Sequence, residues 1–202
     1  MHIYLVRHPP PIDVEGLCYG RLDVAVDEKD IARTAASIFD RIPRRTLASA
    51  RIYCSPSSRC VGLARHIASP HEPTAAEELI EMSFGDWQGI RWDAIAQLEI
   101  DAWAKDLWGY RPGAGESAAM VATRWERWLH RVRRNDGGNI VAVTHAGVIR
   151  VALARSGRDH GPSALGPSAL DPSALGLHIP FGSVHRLDLG VSPDHEMRQQ
   201  HE

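Results

Sequence analysis

At 202 residues the chain is the size of one domain, large enough to bury an apolar core without a disulfide or metal staple. Its 23 Lys+Arg against 25 Asp+Glu exclude a global basic field for nucleic acid, so any positive site must be local. Cys18, Cys54 and Cys60 form no CxxC pair, no segment approaches ~20 apolar residues, and Arg7-His8 interrupts the N-terminal apolar run, which together predict a reduced, cytoplasmic protein with no signal peptide and no membrane span.

The first predicted element is the β-branched run Ile3-Tyr4-Leu5-Val6, a strand that ends in Arg7-His8. A Pro/Gly-containing loop from Pro9 to Val26 follows, then a helix from about Asp27 to Ile42 that Pro43 ends. Arg51-Ile52-Tyr53-Cys54 reads as a second strand. Ser55-Pro56-Ser57 supplies a cap and turn before a helix carrying Val61, Ala64 and Ile67. Trp87, Trp92, Trp103, Trp108 and Tyr110 fall in one segment, read as a helical cap that packs over the site. The clearest helix spans Ser117 to Arg134, where Ala118, Val121, Ala122, Trp125, Leu129 and Val132 form one apolar stripe, so Trp125 belongs to the core. Asn135-Asp136-Gly137-Gly138 ends it. A strand, Ile140-Val141-Ala142-Val143-Thr144, then leads to His145, with a helix over Ala146 to Ala154 behind it.

Downstream, residues 161–176 hold three tandem copies of a Pro-Ser-Ala-Leu unit. A proline every fifth residue forbids a continuous helix, so this is read as a solvent-exposed low-complexity insert. Ser183 to Leu189 alternates as a final edge strand, and residues 193–202 form a polar tail. Strands alternating with helices predict a single domain over 1–202, a three-layer α/β/α sandwich with a mostly parallel sheet. In such sheets ligands bind beyond the carboxyl ends of the strands, which is where His8 and His145 fall.

The chemistry is read from that edge. Arg7, Arg59 at the opening of a helix, His8 and His145 together suit a phosphate: arginine pairs bidentately with its oxygens, and one imidazole can attack phosphorus while the other neutralises developing charge. This needs no metal and no cofactor. A departing alkoxide needs a proton from a nearby carboxylic acid, for which Glu81 in Leu79-Ile80-Glu81-Met82-Ser83-Phe84-Gly85-Asp86-Trp87 is the candidate, with Glu78 and Asp86 as alternatives.

These pieces, with Gly115-Glu116-Ser117 and Thr144-His145-Ala146-Gly147-Val148-Ile149-Arg150, resemble the histidine phosphatase superfamily, the phosphoglycerate mutase-like proteins, over most of residues 3 to 154. Cys18-Tyr19-Gly20-Arg21-Leu22-Asp23 and Phe84-Gly85-Asp86-Trp87 most resemble α-ribazole phosphatases, which act in cobalamin lower-loop assembly. The resemblance implies that His8 becomes the phosphohistidine, that Arg7, Arg59 and His145 hold the phosphoryl oxygens, and that Glu81 is general acid and then activates water. The expected partner is a small phosphorylated metabolite; oligomeric state is not legible.

The family pattern has Gly-Glu-Thr after Arg-His, whereas Pro9-Pro10-Pro11 stands here, removing one N–H and the freedom of a glycine at the pocket edge. Three other readings compete. A cysteine phosphatase would need Arg six residues after Cys, and Arg59 follows Cys54 by five. A phosphoglycerate mutase must return its phosphate to product and generally has a longer chain. A module that only binds phospho-ligands would need the cations but neither nucleophile nor acid.

Overall fold

The structure, a computed structural model, describes residues 1–68, 70–135, 138–156 and 172–189. In chain order the strands are β1 (His2–Arg7), β2 (Arg51–Cys54), β3 (Thr74–Ala75), β4 (Ile140–Thr144) and β5 (Val184–Asp188). The helices are α1 (Glu28–Arg41), α2 (Arg44–Ser49), α3 (Ser58–Ala68), α4 (Gln97–Lys105), α5 (Ala118–Asn135) and α6 (Ala146–Ser156). The sheet runs β3-β2-β4-β1-β5, parallel throughout except for β5, which pairs antiparallel with β1 at the edge.

Alternation along the central strands makes the layers. Ile3 and Leu5 of β1 and Ile140 and Ala142 of β4 point to one face, where they pack with Val121, Trp125 and Trp128 of α5 and Val148 and Ile149 of α6. Tyr4, Val6, Val141 and Val143 point to the other, onto Ile31, Ala35 and Ile38 of α1 and Leu63, Ala64 and Ile67 of α3. Because both faces are covered, β4 is buried along its whole length and shows no polar alternation. Trp125, like its neighbour Trp128, is core.

Local chemistry sets the boundaries. The Asp27 side chain caps α1 by accepting the Lys29 N–H at 2.8 Å. Pro43 does end α1, but its fixed φ also opens the short α2, which the sequence reading missed. The last Pro-Ser-Ala-Leu copy corrects the picture of a wholly exposed insert. Residues 172–176 form a 3-10 turn beside α6, with Ala174 buried and Leu175 packed on the core. The other copies and the tail at 193–202 lie outside the described residues. Among the described residues no helix is long and apolar enough to cross a membrane.

Two loops lock together backbone to backbone ahead of α5. A Cβ on Gly85 would lie 1.8 Å from the Gly113 carbonyl oxygen, one on Gly113 2.3 Å from that of Phe84, and both glycines have positive φ. Side-chain rotation cannot relieve such a clash. Gly85→Ala is therefore expected to destabilise the fold by about 3 kcal/mol, the upper end of the ordinary range for a point substitution. A urea unfolding midpoint within error of the wild type would contradict this.

Candidate active site

Register brings the site together. Arg7 of β1 pairs with Thr144 of β4, and Cys54 of β2 with Val143, so His8, Ser55 and His145 each stand one residue beyond a strand on the same sheet edge. The His8 N–H donates to the Thr144 carbonyl at 3.1 Å and the Ser55 N–H to that of Val143 at 2.9 Å, which extends the ladder into the site. The two imidazole centres end 5.0 Å apart although 137 residues separate them in sequence, and both are fully buried.

His8 Nδ1 lies 2.7 Å from the Pro9 carbonyl oxygen. A carbonyl only accepts, so the proton sits on Nδ1 and Nε2 carries the free lone pair. Proline at position 9 thus gives up an N–H but keeps the carbonyl that orients the ring. Burial, then the positive charges of Arg59 and Arg7, push the His8 pKa well below the ordinary histidine value. His145 is pushed down in the same way by burial, with His8 and Arg59 adding to it. Both imidazoles are neutral in the fold.

A stability trend follows. Below the ordinary histidine pKa of 6.5 the unfolded chain takes up protons that buried His8 and His145 refuse, so folding stability falls as pH falls from there. Each histidine contributes a slope of about 1.4 kcal/mol per pH unit in that window. The urea midpoint is expected to drop between pH 7 and 5.5, and to drop less in a His8→Gln variant; equal slopes would remove His8 from the account.

Both predicted arginines are present and anchored. Arg59, buried at the second position of α3, donates from its two Nη atoms to the Gly20 carbonyl at 2.7 Å and the Leu22 carbonyl at 2.8 Å. Arg7 donates to the Ile179 carbonyl and lies under the Phe181 ring at 3.7 Å. The Ser58 N–H at the start of α3 is taken by the Asp23 carboxylate at 3.0 Å, so on this side the guanidinium of Arg59 supplies the positive charge. Arg7 Nε, Arg59 Nε and His145 Nδ1 are all buried without a hydrogen-bond partner. An unpaired buried polar group costs on the order of 1–3 kcal/mol, and these three nitrogens, two of them on guanidinium groups, form a cradle for an anion with several oxygens.

Glu81 is buried against the start of α6, its two oxygens accepting the Met82 N–H at 2.9 Å and the Gly147 N–H at 3.3 Å. A Cβ at Gly147 would meet Glu81 Oε1 at 2.4 Å, so a larger residue there requires the carboxylate to shift. The two alternatives sit in different surroundings. Glu78 is committed to Arg131, whose hydrogen bonds hold it below the usual carboxylate range, and Asp86 is exposed. Behind Glu81, Arg21 Nε donates to its backbone carbonyl at 2.9 Å and ion-pairs with Glu116 through Nη2, also at 2.9 Å. Glu116 in turn accepts from the Ser83 N–H and from Arg124; burial opposes its charge, but these bonds hold its pKa down.

Sequence reasoning overlooked Arg21 as a support, Ser55 beside His145, and Tyr19 and Phe181 as walls. Tyr19 and Arg21 lie in the Cys18–Asp23 motif, and Ser55, like His8 and His145, directly follows a strand; Phe181 is 173 residues from His8 and arrives only through the β5 pairing. A cavity of about 470 Å³ lined by Pro11, Asp13, Glu15, Tyr19, Trp92 and Phe181 among others opens beside the cradle. The tryptophan segment is α-helical only in part, Trp103 lying in α4 and Trp87 and Trp92 in 3-10 turns. Trp87, Trp92 and Trp103 cluster with Phe84 and Tyr110, Trp92 stacked on Trp103 at 6.1 Å, while Trp108 turns to the other core.

Residues 3–170 match the model of the histidine phosphatase superfamily, branch 1. A metal-independent phosphoserine phosphatase of Arabidopsis thaliana is 27% identical over 162 residues, 76% of this chain and 67% of its own length. The phosphoglycerate mutase-like protein 4 of the same plant is 29% identical over 164 residues, 76% of this chain and 70% of its own. Among solved structures, the α-ribazole phosphatase of Shigella flexneri superposes with a TM-score of 0.73 at 25% identity, covering 94% of this chain and 91% of its own. The family match spans both histidine strands, the start of α3 that carries Arg59 and the loop that carries Glu81. The chain belongs to branch 1 of the histidine phosphatase superfamily and is a phosphatase enzyme.

Proposed function

We propose that the chain hydrolyses phosphomonoesters without a metal, through a phosphohistidine on His8, and that its substrate is α-ribazole 5′-phosphate. The observation that carries the mechanism is the neutral His8 imidazole, its Nε2 bare, set among three buried nitrogens without partners. A phosphate seated there receives hydrogen bonds from Arg7, Arg59 and His145. His8 Nε2 forms a bond to phosphorus as the bond from phosphorus to the alcohol oxygen breaks, and the Glu81 carboxyl gives that oxygen its proton. In the second half Glu81, now a carboxylate, takes a proton from water as the water oxygen attacks phosphorus; the N–P bond breaks and phosphate leaves. Such esters hydrolyse so slowly unaided that enzymes accelerate them by up to ~10²¹, and fixed positive charge aimed at the phosphoryl oxygens supplies much of this.

The substrate reading is supported by the resemblance of Cys18 to Asp23 and Phe84 to Trp87 to α-ribazole phosphatases. The aromatic rings of Tyr19, Trp92 and Phe181 around the adjoining cavity suit a flat aromatic nucleoside. It implies a place in cobalamin assembly, in the cytoplasm. The test is phosphate release, with a metal chelator present, from α-ribazole 5′-phosphate beside phosphoserine, 3-phosphoglycerate and an aryl phosphate. A kcat/KM for the first at least tenfold above the others is expected. Comparable weak rates on all four would overturn the substrate, and isomerisation of 3-phosphoglycerate in place of release would overturn hydrolysis.

A further inference from the structure

Beyond the residues that touch phosphate, we infer that Ser55 is a positioning residue that sets the tautomer of His145, so that His145 presents an N–H to the phosphoryl group. This rests on the phosphoryl-transfer reading above. Ser55 is fully buried at the end of β2, and its Oγ lies 2.8 Å from His145 Nε2. An imidazole can be donor or acceptor at that nitrogen, and the surroundings choose. Ser55 Oγ accepts the Ser57 N–H at 3.3 Å, and of the two acceptors within reach of its own proton, Ser57 Oγ at 3.3 Å and His145 Nε2 at 2.8 Å, the nitrogen is the nearer. Cys60 Sγ lies 3.5 Å from the same nitrogen; burial pushes its thiol pKa up, so it keeps its proton, and the Thr144 carbonyl at 3.7 Å, which can only accept, takes it. Nε2 is therefore met by the Ser55 O–H and accepts.

The proton of His145 then sits on Nδ1, the buried atom left without a partner. Were the proton on Nε2, a bare lone pair on Nδ1 would face the pocket and repel a phosphoryl oxygen that the two arginines attract. His8 and His145 thus carry the same tautomer and offer opposite ends to the substrate. Pro9 takes the Nδ1 proton of His8 and exposes its lone pair, whereas Ser55 engages Nε2 of His145 and exposes its N–H. One ring attacks and the other donates, though no charged partner distinguishes them.

The test is long-range ¹H–¹⁵N NMR of the histidine rings in the substrate-free full chain at pH 7.5, with His145 assigned from a His145→Asn spectrum. The wild type is expected to show His145 protonated on Nδ1, Ser55→Ala to show proton shared with or moved to Nε2, and Ser55→Thr to restore the wild-type pattern. In parallel, Ser55→Ala should lose about 10–100-fold in kcat, less than loss of the histidine itself, and bind inorganic phosphate more weakly, with Thr restoring both. A wild-type proton on Nε2 overturns the inference even if Ser55→Ala fails to fold, as does a Ser55→Ala protein with unchanged tautomer. Absence of turnover on every ester would instead overturn the functional reading, and the wild-type spectrum would still decide the tautomer.

Discussion

His8→Ala is expected to lower phosphate release by on the order of 10⁴–10⁶-fold, the scale seen when a covalent nucleophile is removed from a preorganised site. The loss should fall on kcat. Arg7, Arg59 and His145 remain to hold the phosphate, so binding of a phosphate ester by the variant should persist. The distinguishing measurement is rapid quenching with a ³²P-labelled ester. Wild type should carry an acid-labile, alkali-stable label during turnover, as a phosphoramidate does, and His8→Ala none. His8 is neutral in the fold and its one side-chain partner is the neighbouring carbonyl of Pro9, so its removal leaves no buried charge uncompensated. A folded His8→Ala protein that still releases phosphate at near wild-type rate would overturn the phosphohistidine.

Glu81→Gln is expected to cost about 10²–10⁴-fold with an alkyl phosphate, the range for loss of a general acid and base. The size should depend on the leaving group. A dinitrophenolate departs without a proton, so with its phosphate ester the first half-reaction should be nearly spared, while water attack on the phosphohistidine, which needs the carboxylate as base, should remain slow. The result is a stoichiometric burst of dinitrophenol followed by slow turnover, and a labelled enzyme that accumulates. Gln is close in shape to Glu and can still accept from the Met82 or Gly147 N–H, so the loop position survives. Equal losses with alkyl and aryl esters, without a burst, would transfer the acid–base role to another group.

How much of this was readable before folding varies by residue, for physical reasons. β1 and β4 announce themselves because a strand covered on both faces must be apolar at every position, and such runs stand out in any sequence. α1 and α5 announce themselves by an apolar stripe at helical spacing, and Asp27 by its capping chemistry. β3, two residues long and exposed, carries no pattern and exists only because β2 offers an edge. α2 hid behind Pro43, which reads as a stop but whose backbone angle equally starts a helix.

The same division holds at the site. Arg7, His8, Arg59, Glu81 and His145 were nominated by residue type at the ends of elements, since phosphate chemistry needs cations, a nucleophile and an acid, and those side chains have few structural uses beside an apolar strand. What the sequence alone determined is therefore the chemistry available and the sheet edge that displays it. The tertiary structure decided which atoms are spoken for. The Pro9 carbonyl claims His8 Nδ1, Ser55 claims His145 Nε2, and Gly20 and Leu22 claim the ends of Arg59. Phe181 comes to lie over Arg7. These depend on backbone carbonyls and on register between strands far apart in the chain, and a backbone carbonyl is the same group in every residue, so no letter of the sequence marks it.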